Sequence, residues 1–445
     1  MKSKNLFIAL LLAVIGYYIG SIFFSTTHAA LIACITLLVA LWTNEALPLG
    51  IVSLLPLILF PSTGLLSTKD VAANYANPII FLFLGGFMLA IATQKTNLHK
   101  LIAHNILNIF PATPRGIIYS MAITAALLSA FLSNTTTALL LISIALFLTN
   151  DAKLKVRLVL AVAYGASVGG IITPIGTPPN LILLGFMESQ ALPAIGFIQW
   201  MFMTFPLALM MLLVIGYVLS HGVEDCHIAE LQDAQPITSE QKHLSWSLVC
   251  MVILLLVNSP VKPYYDGLGL SENGILLGFG LLMFLPGFNF LTWEDTKKIP
   301  YEIIFLFGAG FSIASAFLET GFASEIAGLL TTFSNLDTFY LILIIAAFVT
   351  FSTEITSNTA LVSMILPIIY TLAADTGLNH ELLLMVSTIC ASYAFMLPIA
   401  TPPNAIAMGS GVVRIRDMAV RGLFLNLIGI SLIAIYAMLF WRNVL

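Results

Sequence analysis

The chain has 445 residues, 59% of them hydrophobic and only 9% charged, with 17 Lys+Arg against 21 Asp+Glu; an ordinary soluble domain is about 25% charged. That composition excludes a water-soluble globule, and the lack of any basic excess or stripe excludes nucleic acid as a partner. What remains is an all-α polytopic protein whose solvent is a lipid bilayer.

A span needs about 20 apolar residues to cross roughly 30 Å of hydrocarbon. Residues 6–24, behind Lys2 and Lys4, read as a first membrane helix: no small-residue cleavage site is evident and more spans follow at once. Further crossings are expected at 28–44, 46–62, 77–95, 157–187, 198–220, 244–261, 270–288, 301–318, 381–411 and 419–441, eleven in all.

Residues 117–150 and 338–374 differ. Each is two arms of about 14 residues around Ser-Asn-Thr, and such an arm reaches only about 21 Å. Both read as re-entrant hairpins; a pair of ordinary helices with a polar kink is the other reading that hydropathy permits. Cytoplasmic loops should be rich in Lys and Arg. With the N-terminus inside, the inner side collects Lys2, Lys4, Lys95, Lys100, Arg115, Lys153, Lys155, Arg157, Lys242, Lys297, Lys298, Arg414, Arg416 and Arg421, leaving Lys69, Lys262 and Arg442 outside.

The chain repeats itself. Ser133-Asn134-Thr135 returns as Ser357-Asn358-Thr359, Thr177-Pro178-Pro179-Asn180 as Thr401-Pro402-Pro403-Asn404, and Phe81-Leu82-Phe83 with Gly86-Phe87 as Phe305-Leu306-Phe307 with Gly310-Phe311. All three pairs share one offset of 224 residues. Each copy holds five crossings and a hairpin, so the second is expected upside down, the inverted-repeat plan of secondary transporters. The expected layout is an N-terminal helix (1–27), a first repeat (28–220), a cytoplasmic linker (221–243) and a second repeat (244–445). The acidic run Glu224, Asp225, Glu230 and Asp233 reads as a solvated face of the linker.

Pro174, Pro178 and Pro179, and in the second copy Pro398, Pro402 and Pro403, must unwind the helices that contain them. Carbonyls near Gly170, Pro174 and Ile175, and near Ala394, Pro398 and Ile399, are then expected to be free to hold a cation. Past each break a helix restarts, with Thr177 or Thr401 placed to cap it. The return arm of each hairpin restarts after Ser-Asn-Thr. Four helix N-termini at mid-membrane, each worth about half a positive charge, suit a small dianion. No Lys or Arg lies in a hairpin arm or beside a break, and the seven histidines map to loops, the linker or span ends. Further positive charge must therefore come from bound cations, and oxygen ligands favour a hard ion such as Na⁺.

Glu354 stands four residues before Asn358, where the first copy has Ala130. It either attracts the coupling ion or a proton, or is buried on local hydroxyl or backbone partners to hold the hairpin. Gly165-Ala166-Ser167-Val168-Gly169 matches both GxSxG and GxxxG; without a histidine base in sight, close helix packing is the expected role. Residues 98–110 read as an interfacial helix with Leu98, Ile102, Ile106 and Ile109 on its apolar face and His99, Lys100 and His104 off it, its counterpart being 322–330. Four scattered cysteines (Cys34, Cys226, Cys250, Cys390) imply neither disulfides nor zinc. An intramembrane hydrolase and an ion channel are the readings from other classes; no ring of like charges supports a channel filter.

The paired Ser-Asn-Thr and Thr-Pro-Pro motifs resemble the divalent anion:sodium symporter family of sodium-coupled dicarboxylate, citrate and sulfate carriers. The resemblance implies a first sodium site from Ser129, Ser133, Asn134 and the Gly176 backbone, and a second from Thr353, Thr356, Asn358 and the Ala400 backbone. It implies substrate carboxylates on Asn134, Thr135, Asn358 and Thr359, with Thr177, Thr401 and Pro402 lining the pocket. It also implies a homodimer in the plasma (inner) membrane working by an elevator motion. Relatives often carry Ser where this chain has Thr177, a methyl that narrows the pocket. Sodium-driven import of succinate, malate or fumarate is the leading expectation; a sulfate or citrate carrier and a sodium-independent exchanger are the alternatives.

Overall fold

The computed structural model describes residues 2–44, 46–223, 226, 236–260, 264–330 and 337–445. The acidic residues Glu224, Asp225, Glu230 and Asp233 of the linker, and Lys262, lie outside them. The described residues are all-helical with no strand, as a chain in hydrocarbon requires, since each helix satisfies its own backbone polar groups.

The first half runs α1 (Lys2–Phe23), α2 (Thr26–Asn44), α3 (Leu49–Val52), α4 (Pro56–Ser62), α5 (Thr68–Asn74), α6 (Pro78–Lys95), α7 (Leu98–Leu107), α8 (Pro114–Ser129), α9 (Asn134–Phe147), α10 (Ala152–Gly169), α11 (Pro178–Ser189) and α12 (Phe197–Ser220). The second runs α13 (Ser239–Asn258), α14 (Glu272–Leu282), α15 (Tyr301–Glu319), α16 (Phe322–Leu330), α17 (Thr338–Thr353), α18 (Asn358–Thr376), α19 (His380–Ala391), α20 (Pro402–Gly409) and α21 (Ile415–Tyr436). The 224-residue offset reappears in element boundaries: α8 and α17 start and end in register, as do the starts of α9 and α18, and of α11 and α20.

Among the described residues eight helices are long and apolar enough to span a bilayer, against eleven crossings expected. The stretches 157–187 and 381–411 break at their prolines, as anticipated. The stretch 46–62 also breaks, between α3 and α4, where Pro56 opens the second piece. The stretch 270–288 stops at Leu282, ahead of Pro286 and Gly287 at φ +98°. The hairpin arms α8, α9 and α17 have 16, 14 and 16 residues, but α18 has 19, not the 14 read from the sequence. Where Thr149-Asn150 ends the first return arm, the second carries Ala373-Ala374, good helix formers, and continues to Gly377 at φ +68°.

A large core cluster joins α6 through α21, and a smaller one packs α2 to α5 against one face of α15 and α16. The GxSxG stretch is a packing seam: a Cβ on Gly165 would strike Ala122, and one on Gly169 would strike Ala126, both backbone atoms of α8. Helix α7 buries Leu98, His99, Ala103 and Leu107, correcting the expected face: His99 turns inward because its Nδ1 meets Thr93 O at 3.0 Å, while Ile109 is exposed. Helix α13 begins at Ser239, capped by Thr238 with Gln241 in a capping box, inside the stretch read as linker.

Residues assigned to the inner side meet one another in space. Lys95 reaches Asp295 at 2.6 Å and Lys298 reaches it at 3.0 Å. Lys95 and the Thr292 backbone together hold the Asp295 carboxyl well below the usual carboxylate range.

Candidate functional site

The two unwound segments are held by equivalent hardware. In the first copy Asn180 Nδ2 donates to Gly170 O at 2.9 Å and Thr173 O at 2.8 Å; in the second, Asn404 Nδ2 donates to Ala394 O at 3.0 Å and Leu397 O at 3.1 Å. Both asparagines are fully buried. Each clips the restarted helix back onto the unwound segment, and the Gly170 and Ala394 carbonyls so held are those that Pro174 and Pro398 strip of their helical donors. Gly170 and Ala394 therefore do not offer the open carbonyls expected of them, and Trp200 and Thr204 take Ile171 O and Ile172 O at 2.9 and 3.2 Å. None of these donors reaches Pro174, Ile175, Pro398 or Ile399.

Each hairpin is tied at its turn. Ser133 is the N-cap of α9, its Oγ accepting from Thr136 N at 3.2 Å, a cap worth about 1 kcal/mol. Just before each turn a fully buried hydroxyl donates to an amide oxygen: Ser129 Oγ to Asn134 Oδ1 at 2.5 Å, Thr353 Oγ1 to Asn358 Oδ1 at 2.6 Å. Thr401 caps α20 by accepting from Asn404 N at 3.3 Å. Thr177 occupies the same position on α11 but makes no such bond, half of the expected capping.

The two copies differ where hairpin meets break. Glu354 Oε1 accepts from Phe395 N, Met396 N and Asn426 Nδ2 at 2.7, 2.9 and 2.7 Å, and Oε2 from Leu397 N at 2.9 Å. In the first copy the polarity is reversed: the Thr173 hydroxyl donates to the Ala130 carbonyl. Of the two roles open to Glu354, its backbone partners support the structural one.

These elements converge on one cavity of about 230 Å³, smaller than the roughly 300–1,000 Å³ of pockets for drug-sized ligands. The first residues of α9 (Asn134), α11 (Pro178), α18 (Asn358) and α20 (Pro402) all line it. So do Ser133, Thr135, Gly176, Thr177, Thr359, Ala400 and Thr401. Ser129 and Thr353 stand one layer behind, bonded to the two asparagines. Thr356 is the expected site residue that the fold leaves off the wall; its hydroxyl donates to Ser352 O at 3.0 Å. The apolar part of the wall includes Phe83, Phe87 and Ile175. Among the described residues, no charged side chain lines the cavity. Its positive potential comes from four helix ends, a neutral arrangement that attracts an anion without a fixed cation.

The sequence reading missed Asn180, Asn404, Thr173, Trp200 and Asn426. Asn180 and Asn404 were visible as the last letter of the repeated Thr-Pro-Pro-Asn motif; the other three carry no such repeat signal.

A citrate-transporter family model matches residues 35–390 of the chain. The sodium-dependent dicarboxylate transporter SdcS of Staphylococcus saprophyticus is 33% identical over an alignment of 444 positions, covering 91% of this chain and 84% of that protein. SdcS of Staphylococcus aureus strain NCTC 8325 is 32% identical, with 92% and 85% covered. Among solved structures, the YdaH transporter of Alcanivorax borkumensis aligns with a TM-score of 0.59 at 14% identity over 82% of this chain and 86% of its own. MtrF of Neisseria gonorrhoeae aligns with a TM-score of 0.60 at 15% identity over 83% and 84%. At these identities the two structures speak for the helical transporter fold alone.

Proposed function

The chain belongs to the divalent anion:sodium symporter family, and on that premise we propose that it is a secondary carrier importing C4-dicarboxylates such as succinate, malate or fumarate with sodium ions. The observation that carries this reading is the uncharged cavity on which four helix N-termini open. Together they supply roughly two positive charges, the complement of two carboxylates. Asn134, Thr135, Asn358 and Thr359 meet the carboxylates, and Thr177, Thr401 and Pro402 close the sides.

One sodium ion binds among Ser129, Ser133, Asn134 and the Gly176 carbonyl, a second among Thr353, Thr356, Asn358 and the Ala400 carbonyl. In support, the Ser129–Asn134 and Thr353–Asn358 oxygens already converge, and neutral oxygens are the ligands a hard cation takes. To load an ion, each hydroxyl turns its proton away from the amide oxygen and presents a lone pair. Sodium then offsets the cost of dehydrating the anion, which couples the two fluxes.

The two halves form inverted repeats in the plasma membrane with the N-terminus cytoplasmic, and the hairpins with the broken helices move as one body in each protomer of a homodimer. The repeated boundaries and the clustering of inner-side charges support this layout. A citrate carrier is the second reading, favoured by the description of the matching family model.

Uptake of labelled succinate into proteoliposomes under an inward sodium gradient tests the proposal, with choline replacing sodium in a parallel arm. Saturable uptake that vanishes in choline is expected. Uptake at an unchanged rate in choline removes sodium coupling, and citrate outcompeting succinate at equal concentration moves the substrate to the second reading.

A further inference from the structure

Away from the transport cavity, a hollow of about 450 Å³ lies where α10 and α21 begin. Its wall carries Lys153, Lys155, Arg157, Arg414 and Arg421, with Asp417 as the single acid among the described residues. Five cations gathered around one carboxylate repel one another, in a chain whose formal net charge is −4. Asp417 is already engaged, accepting from Arg421 Nη1 at 3.1 Å. The nearby Asp151 is spent as the N-cap of α10, accepting from Lys153 N and Leu154 N at 2.8 and 3.0 Å.

A second observation is independent of charge counting. Arg157 is only 8% exposed, and its Nε has no acceptor; its guanidinium's bond to His221 O is long, at 3.4 Å. Arg421 Nε also lacks an acceptor. A guanidinium has five donors, and burying one with donors open is costly unless an acceptor arrives. Nor is the cluster a by-product of duplication, because Lys153, Lys155 and Arg157 correspond to Gly377, Asn379 and Glu381 in the second copy.

We infer that this hollow is a binding site for a phosphate group. Three or more phosphate oxygens can accept from Arg157, Arg421 and the lysines at once, from several directions, where one carboxylate offers two oxygens in a plane. The first turn of α21, which no side chain caps, adds backbone donors of the same sign. A lipid headgroup and free phosphate present this chemistry alike. The inference does not rest on the proposed transport activity.

The test is thermal unfolding of the purified full-length protein in detergent, at constant sodium and ionic strength. Sodium phosphate, dioctanoyl-phosphatidylglycerol, dioctanoyl-phosphatidylcholine and sodium succinate are added separately. Phosphate or phosphatidylglycerol is expected to raise the midpoint by about 2 °C or more, and the rise should disappear in a Lys155→Gln, Arg414→Gln double variant. A rise with phosphatidylglycerol alone assigns the site to a lipid headgroup; a rise with inorganic phosphate assigns it to the free anion. No rise with either, or a rise that persists in the double variant, overturns the inference, as does a rise with succinate alone that the double variant abolishes. If the double variant aggregates, Arg157→Lys reads the same loss, because it keeps the charge and removes the planar fork.

Discussion

Phe83 and Phe307 occupy the same position in the two copies, 224 residues apart, and their rings meet edge to face with centroids 4.9 Å apart. Phe83 also lines the cavity, so the two copies touch at equivalent residues at its wall.

This contact makes a measurable prediction. In a double-mutant cycle with Phe83→Leu and Phe307→Leu, the pair should show a coupling of about 0.5–1.5 kcal/mol, read from unfolding midpoints of the four proteins. Additive losses would mean that the two rings pack independently.

Asn134 and Asn358 each begin a helix at the cavity and accept from a buried hydroxyl. Asn134→Ala and Asn358→Ala should each lower succinate uptake at least about tenfold, a loss of ~1.4 kcal/mol or more in transition-state terms, while membrane insertion is unchanged. Normal uptake by either variant contradicts the proposed site.

Asn180 and Asn404 make the same two bonds to the same two relative positions. Replacing either by Ala leaves the Gly170 or Ala394 carbonyl without this donor and should cost about 1–3 kcal/mol, with similar effects in both copies. Asn→Asp keeps the shape but removes the donor, and should be no better than Ala. An Asp variant as stable as the parent would show that shape alone holds the break.

Glu354 gathers four N–H donors from the second break and α21. Glu354→Gln leaves one acceptor oxygen for those donors and should lower the unfolding midpoint, by about 1–3 kcal/mol in stability, without altering the sodium-concentration profile of residual uptake. A shifted sodium profile at unchanged stability would instead return Glu354 to the coupling role.

At the α8–α10 seam, Gly169→Ala should push the helices apart and destabilise the fold, because the added methyl meets the Ala126 backbone. Ser167→Ala at the centre of the same stretch should transport normally, since that hydroxyl only returns to Ala163 O at 3.2 Å.

Composition, apolar run lengths and a single repeat offset were enough to read the helical class, the turns at Ser-Asn-Thr and the proline breaks, while the residues expected at the cavity came only with the family resemblance of the paired motifs. The turns and breaks are local properties: a proline lacks its N–H wherever the chain goes, and a repeated motif must build the same turn twice. Only the tertiary structure decided which groups answer the orphans those breaks create. The Glu354 donors come from residues 41 to 72 positions away, and the hydroxyl of Thr173 finds Ala130 across 43. It also decided that His99 turns inward, that 46–62 is two helices, and that basic residues on α10 and α21 share one hollow. Such partners are chosen by proximity in the folded chain, and hydropathy along a sequence holds no record of distance in space.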